Sequence, residues 1–182
     1  MRMYSRFLII PLMALISSFV ASAAEEPKNE VANLLSHFPG YHLLKLSERA
    51  TDTRAYILGH FPKDNPSIVH ADFDGDGHPD YALLLKHNRS QTAKLVVLLC
   101  PENNPYKRVY ELDLTGDSEE VYLRPVPVGS HVSQTDAIDT KDRPSPIRLR
   151  STGIEVTYFE KATIVYYWNK KHKKIEAVQT AD

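Results

Sequence analysis

The chain has 182 residues, with 22 basic and 23 acidic side chains, a formal net charge of −1 and 42% hydrophobic content. That balance supports a folded core and offers no basic excess for nucleic acid. Cys100 is the single cysteine, which excludes an internal disulfide and leaves the core, with any bound ion, to hold the fold.

The first segment reads as a secretory signal peptide. Arg2 and Arg6 precede an apolar stretch from Phe7 to Ile16, and Ala21-Ser22-Ala23-Ala24 offers cleavage after Ala23 or one residue later. A membrane span needs about 20 apolar residues, and this run is shorter and interrupted by Pro11. No cysteine starts the mature chain, so no lipid anchor is indicated. The expectation is a leader over residues 1–23 and a single globular domain over 24–182, periplasmic or secreted, with no stable membrane insertion after cleavage. Roughly 158 residues would remain, enough for one domain with a real core.

The mature chain opens with Glu25-Glu26-Pro27, after which Val31, Leu34, Leu35 and Phe38 recur at helical spacing until Pro39-Gly40 stops the pattern. A second helix is expected from Thr51-Asp52, with Thr51 as a good N-cap, through Tyr56, Ile57 and Leu58 to Pro62. A strand is the alternative there.

From Ile68 onward, short apolar or alternating runs lie between turn residues: Ile68 to Phe73, Tyr81 to Lys86, Lys94 to Cys100 and Arg108 to Leu112, with Glu119 to Leu123 as a further candidate. Gly153 to Tyr158, Thr163 to Trp168 and Lys174 to Val178 form an expected three-stranded meander. Helices followed by a run of strands predict an α+β fold with a mainly antiparallel sheet. Pro125 to Pro146, rich in Pro, Asp, Ser and Thr, reads as a long mobile loop.

The most specific chemistry lies in Asp72-Phe73-Asp74-Gly75-Asp76-Gly77-His78-Pro79-Asp80. Two unit charges about 4 Å apart cost roughly 1 kcal/mol in water and more near a protein surface, so four aspartates this close need compensation. Calcium supplies it, taking six to eight oxygens at about 2.3–2.6 Å in flexible geometry. Counting from Asp72, the carboxylates of Asp74, Asp76 and Asp80 fall at positions three, five and nine, and the carbonyl of His78 falls at seven. Gly75 and Gly77 suit tight turns, and Pro79 restricts His78 to extended backbone. A solvated acidic turn without an ion is the competing reading.

An EF-hand requires a bidentate Glu at position twelve and flanking helices, whereas position twelve here is Leu83 and a strand-like run follows. The D-x-D-G-D-G-x-x-D loop leading into a strand resembles the calcium loop of FG-GAP or VCBS repeats, over about residues 70 to 86. The resemblance implies Asp72, Asp74, Asp76, Asp80 and the His78 carbonyl as Ca2+ ligands. It does not imply a propeller, which needs four or more blades, because the motif occurs once.

Other signals are weaker. His131, Asp136, Asp139 and Asp142 match no ligand template, and Asp113 to Glu119 reads as a turn. His70, His78 and His87 lie near the acidic loop, but His70 falls in a strand and His78 is needed for its carbonyl. Cys100, at the end of an apolar run, reads as a buried structural thiol, since a nucleophile needs an exposed electropositive setting. Alternation along a strand places about half of Tyr158, Phe159, Tyr166, Tyr167 and Trp168 in a core. No Gly-x-Ser-x-Gly, His-Glu-x-x-His, phosphate-binding glycine loop or paired-cysteine zinc motif occurs, so the reading leans away from an enzyme. The sequence therefore predicts an exported calcium-binding protein whose ion is mainly structural and which contacts another macromolecule. A calcium-dependent hydrolase and a small inhibitor of a secreted enzyme are the alternatives.

Overall fold

A computed structural model describes residues 28–102, 105–114, 118–136 and 145–181. The expected signal peptide lies outside these residues. The described residues combine two α-helices, α1 (Lys28–Ser36) and α2 (Thr51–His60), with antiparallel sheets, an α+β mixture. The strands are β1 (Tyr41–Leu43), β2 (Ile68–Ala71), β3 (Asp80–His87), β4 (Ala93–Leu99), β5 (Lys107–Leu114), β6 (Val121–Val126), β7 (His131–Val132), β8 (Ile147–Arg148), β9 (Gly153–Tyr158), β10 (Ala162–Asn169) and β11 (Lys174–Ala181). No helix among them is long and apolar enough to cross a membrane.

One sheet runs β1-β3-β4-β5, with β2 pairing the same strand β3; a second runs β11-β10-β9-β6, and β7 pairs β8 in a short ribbon. Side chains alternate along a strand, and β3 shows what that alternation serves. Ala82 and Leu84 enter the main core, with Val69, Leu95 and Val97 from their own sheet and Val121, Leu123, Ile154, Val156 and Tyr166 from the other. Tyr81, Leu83 and Leu85 enter a second cluster with Leu34 and Phe38, the latter two on and just after α1. Both faces of β3 are therefore covered, which explains why its sequence is an unbroken apolar run. Leu34, Leu83, Leu84 and Leu85 are each fully buried.

Helix α2 begins one residue away from the expected cap. Ala50 is the N-cap and makes no side-chain cap bond, so Thr51 and Asp52 stand in the first turn, where Asp52 faces the positive end of the helix dipole. Tyr56 of α2 lies against Tyr122 and Phe159, with ring centroids 6.2 and 5.1 Å apart, covering the face of β6 that points away from the main core.

The two sheets are tied by a side chain that the hydrophobic pattern does not reveal. Arg49, 4% exposed, donates from Nε to the Val121 carbonyl (3.0 Å), from Nη1 to Leu44 O (3.1 Å) and from Nη2 to Pro66 O (3.0 Å) and Ser67 Oγ (2.8 Å). Burial pulls its pKa down to about 10. It still carries its charge at neutral pH, shared among these acceptors and favoured by the nearby Glu48 carboxylate.

The stretch expected as a mobile loop from Pro125 to Pro146 contains ordered structure. β6 continues through Val126, Gly129 turns the chain at φ +87°, and β7 pairs with β8. The Thr135 amide donates to Gln179 O at 2.9 Å, fastening the stretch to β11. Pro125 is tolerated because β6 is the last strand of its sheet. The amide of Leu123, two residues earlier on the same edge, already points away from β9 to Pro66 O (2.9 Å). Residues 137–144, with Asp139 and Asp142 of the second acidic group, lie outside the described residues.

Candidate metal centre

Strands β2 and β3 form a hairpin in which Ala71 pairs with Asp80, and the acidic loop is its connection. The two glycines adopt the left-handed conformation that their positions require, Gly75 at φ +77° and Gly77 at φ +93°. That backbone folds the loop's own amides onto its carboxylates. Gly75 N donates to Asp72 Oδ1 (2.6 Å), Gly77 N to Asp72 Oδ2 (3.0 Å), Asp76 N to Asp74 Oδ1 (3.0 Å) and His78 N to Asp76 Oδ1 (2.8 Å).

Asp80 is held from two sides. Its Oδ2 accepts the Phe73 amide at 2.8 Å and its Oδ1 accepts the Cys100 amide at 2.9 Å, so one carboxylate joins the loop entry to the residue after β4. Phe73 is the loop's apolar anchor, 1% exposed in the main core, and Ser151 Oγ donates to its carbonyl. The Thr152 amide donates to Asp72 O at 3.2 Å. Phe73, to which the sequence assigned no ligand task, thus pins the loop to the core.

One carboxylate oxygen from each of Asp72, Asp74 and Asp80 lies within 4.8 Å of the others. Oxygens on opposite sides of a calcium ion with bonds of 2.3–2.6 Å stand roughly 4.6–5.2 Å apart, so this spacing suits a shared ion. Each carboxylate has about four acceptor sites, and the backbone amides leave some of them open. Asp76 is outside the triad, exposed, with its carboxylate bonded to the His78 amide. The ring of His78 turns to Glu102, Nε2 to Oε2 3.7 Å.

The electrostatics reflect the crowding. Burial, reinforced by Asp74 and Asp76, raises the pKa of Asp80 to about 6 despite its two amide bonds. Burial together with Asp76 and Asp72 also raises Asp74, while Lys170 works in the opposite direction. Lys170 lies directly over the loop: a Cβ placed on Gly75 would come within 2.6 Å of its Nζ. Lys170 belongs to the β10–β11 turn and has no signal of proximity to the loop in the sequence.

The remaining candidates do not assemble around the loop. His70 stacks on Tyr81 with centroids 4.3 Å apart, and His87 accepts the Arg89 amide at 3.2 Å. Cys100 is half-buried rather than fully buried; burial and the nearby Asp80 charge push its thiol up to about 12, which disfavours a thiolate. Of the aromatic stripe, Tyr166 is buried in the main core, and Tyr158, Phe159, Tyr167 and Trp168 are partly buried. Ser118–Glu120, at the end of the expected Asp113 to Glu119 turn, forms a short 3-10 turn.

No family model, curated protein or solved structure matches this chain.

Proposed function

We propose that the protein is an exported calcium-binding module, a single domain from residue 24 onward, in which the ion rigidifies the β2–β3 connection. The observation that carries this reading is the convergence of the Asp72, Asp74 and Asp80 oxygens within 4.8 Å. In the full ligand set, Asp76 and the His78 carbonyl join the triad after a small closure of the loop, as the FG-GAP/VCBS-like order of residues suggests. Oxygen-only donors, three carboxylates and a loop turning on two glycines favour a hard cation of flexible geometry, hence calcium over magnesium, which demands near-ideal octahedral sites.

The ion offsets the repulsion that the fold concentrates at Asp74 and Asp80. Fastened to the loop through Phe73 and Asp72 are Ser151 and Thr152, so ordering of the loop also orders the chain between β8 and β9. Export places the protein where free calcium suffices for a site with a dissociation constant on the order of 10⁻⁴ to 10⁻³ M. Its role is that of a binding module that contacts another molecule, with the metal structural.

Calorimetry of the mature chain tests the reading: calcium binds with saturable heat and unit stoichiometry, and magnesium binds more weakly. Equal affinity for the two ions would overturn the calcium assignment.

A further inference from the structure

A cleft of about 280 Å³ opens beside the acidic loop, between β8 with the residues that follow it and the end of β10 with its turn. Four cationic residues line it, Arg148 and Arg150 from one segment and Lys170 and Lys171 from the other, together with Tyr167 and Trp168. In a chain of net charge −1, four cationic residues around one small cavity are a local concentration of positive charge suited to an anion. Among the described residues, no carboxylate lines the cleft, and the ion pairs between them do not include Arg148, Arg150 or Lys171.

Two carboxylates of adjoining segments, Glu176 and Asp74, are already committed. Glu176 accepts hydrogen bonds from Tyr167 Oη (3.0 Å) and Asn169 Nδ2 (2.7 Å) and pairs with His172 Nδ1 (2.7 Å). Asp74 belongs to the loop triad and draws on Lys170 alone among the four cations.

We propose that this cleft is a binding site for a small phosphate or sulfate ester, the arginines gripping the oxyanion and the ring of the ester packing against Tyr167 and Trp168. A guanidinium presents a planar fork of donors suited to tetrahedral oxyanions, and lysines add point charge without fixing geometry. The volume is at the small end for organic ligands and fits one sugar-sized body. The site goes beyond the metal reading and does not depend on it, because none of the cleft side chains belongs to the expected calcium ligands.

The test uses the full mature chain, freed of metal on a chelating resin so that no anionic chelator competes. Glucose 6-phosphate, glucose 6-sulfate, inorganic phosphate and glucose are titrated in parallel by calorimetry. Expected is one saturable site for at least one of the esters, weakening as salt is added, with no binding of glucose and weaker binding of free phosphate. The variant carrying Arg148→Ala and Arg150→Ala, both exposed positions, keeps its melting temperature and loses affinity roughly tenfold or more, as expected for removing charge-assisted bonds. No saturable ester binding, equal affinity for inorganic phosphate, or unchanged affinity in the double variant would overturn the assignment. Calcium calorimetry on the same sample reports separately on the loop, so the two readings can fail independently.

Discussion

Asp80 Oδ1 accepts the backbone amide of Cys100 at 2.9 Å, and through this bond the ninth residue of the acidic loop is anchored to the chain leaving β4. The same carboxylate holds Phe73 N, so a side chain expected only as a metal ligand also closes the loop. Asp80→Asn separates the two tasks. An amide can accept one of these N–H groups but must turn its own NH2 toward the other, leaving two donors facing each other. The variant should lose about 1–3 kcal/mol of stability in metal-free buffer, measured by urea denaturation, and should also lose calcium binding.

The titration of Asp80 gives a pH dependence of definite sign. Its folded pKa of about 6 lies above the ordinary 3.8, so in metal-free protein the fold favours the protonated form. The associated stability is complete below about pH 4 and is lost as pH rises through 6. Calcium requires the ionised form, so its affinity rises with pH and levels off above 6, and a titration at pH 5 should show roughly tenfold weaker binding than one at pH 7. Affinity independent of pH over that interval would remove Asp80 from the ligand set.

Gly77 and Gly75 differ in what a methyl group would meet. At Gly77 there is open space, so Gly77→Ala carries only the cost of its φ of +93°, about 1 kcal/mol, seen as a modest drop in melting temperature. Gly75→Ala carries the same backbone cost and also displaces the Lys170 ammonium. Because Lys170 competes with a cation at the loop, Lys170→Ala should tighten calcium binding a few-fold at low salt, an effect that shrinks as salt screens the charges.

Arg49 is the polar tie between the sheets. Arg49→Met takes the Arg49 donor from the Val121 carbonyl, while Pro66 O keeps the Leu123 amide and Leu44 O keeps Ser67 Oγ, and should cost about 1–3 kcal/mol in chemical denaturation. Arg49→Lys keeps the charge but has one nitrogen in place of a fork and recovers only part of the loss. Calcium affinity should be unchanged in both, since Arg49 touches no loop residue.

Much of this organisation is legible in the sequence because it follows local rules. The period of two along Gly153 to Tyr158 gives a strand with those same bounds, and the D-x-D-G-D-G-x-x-D spacing marks the acidic convergence. The unbroken run from Tyr81 to Leu85 is recognisable as a strand, but its burial on both faces becomes evident only once Leu34 and Phe38 are seen across it. The cap of α2 falls at Ala50, one residue before Thr51, because Ala50 is held by the tertiary contact of its amide with Glu119 O, 2.9 Å, rather than by a capping side chain. Strands β1, β7 and β8, of two or three residues, are too short to show a period. Arg49, Lys170 and Ser151 gain their roles from partners far away in the chain, and no local pattern encodes such partners.

On the function proposed above, the acidic loop holds calcium and the ion stabilises the fold. The direct measurement is the melting temperature of the mature chain, with and without calcium, beside Asp72→Ala. At calcium about 100-fold above the dissociation constant, the wild type should gain about 2.7 kcal/mol. Asp72→Ala should gain none; in metal-free buffer the lost acceptor of the Gly75 and Gly77 amides works against the relief of repulsion. An unchanged wild-type melting temperature on adding calcium, or an equal rise in the variant, would contradict the account.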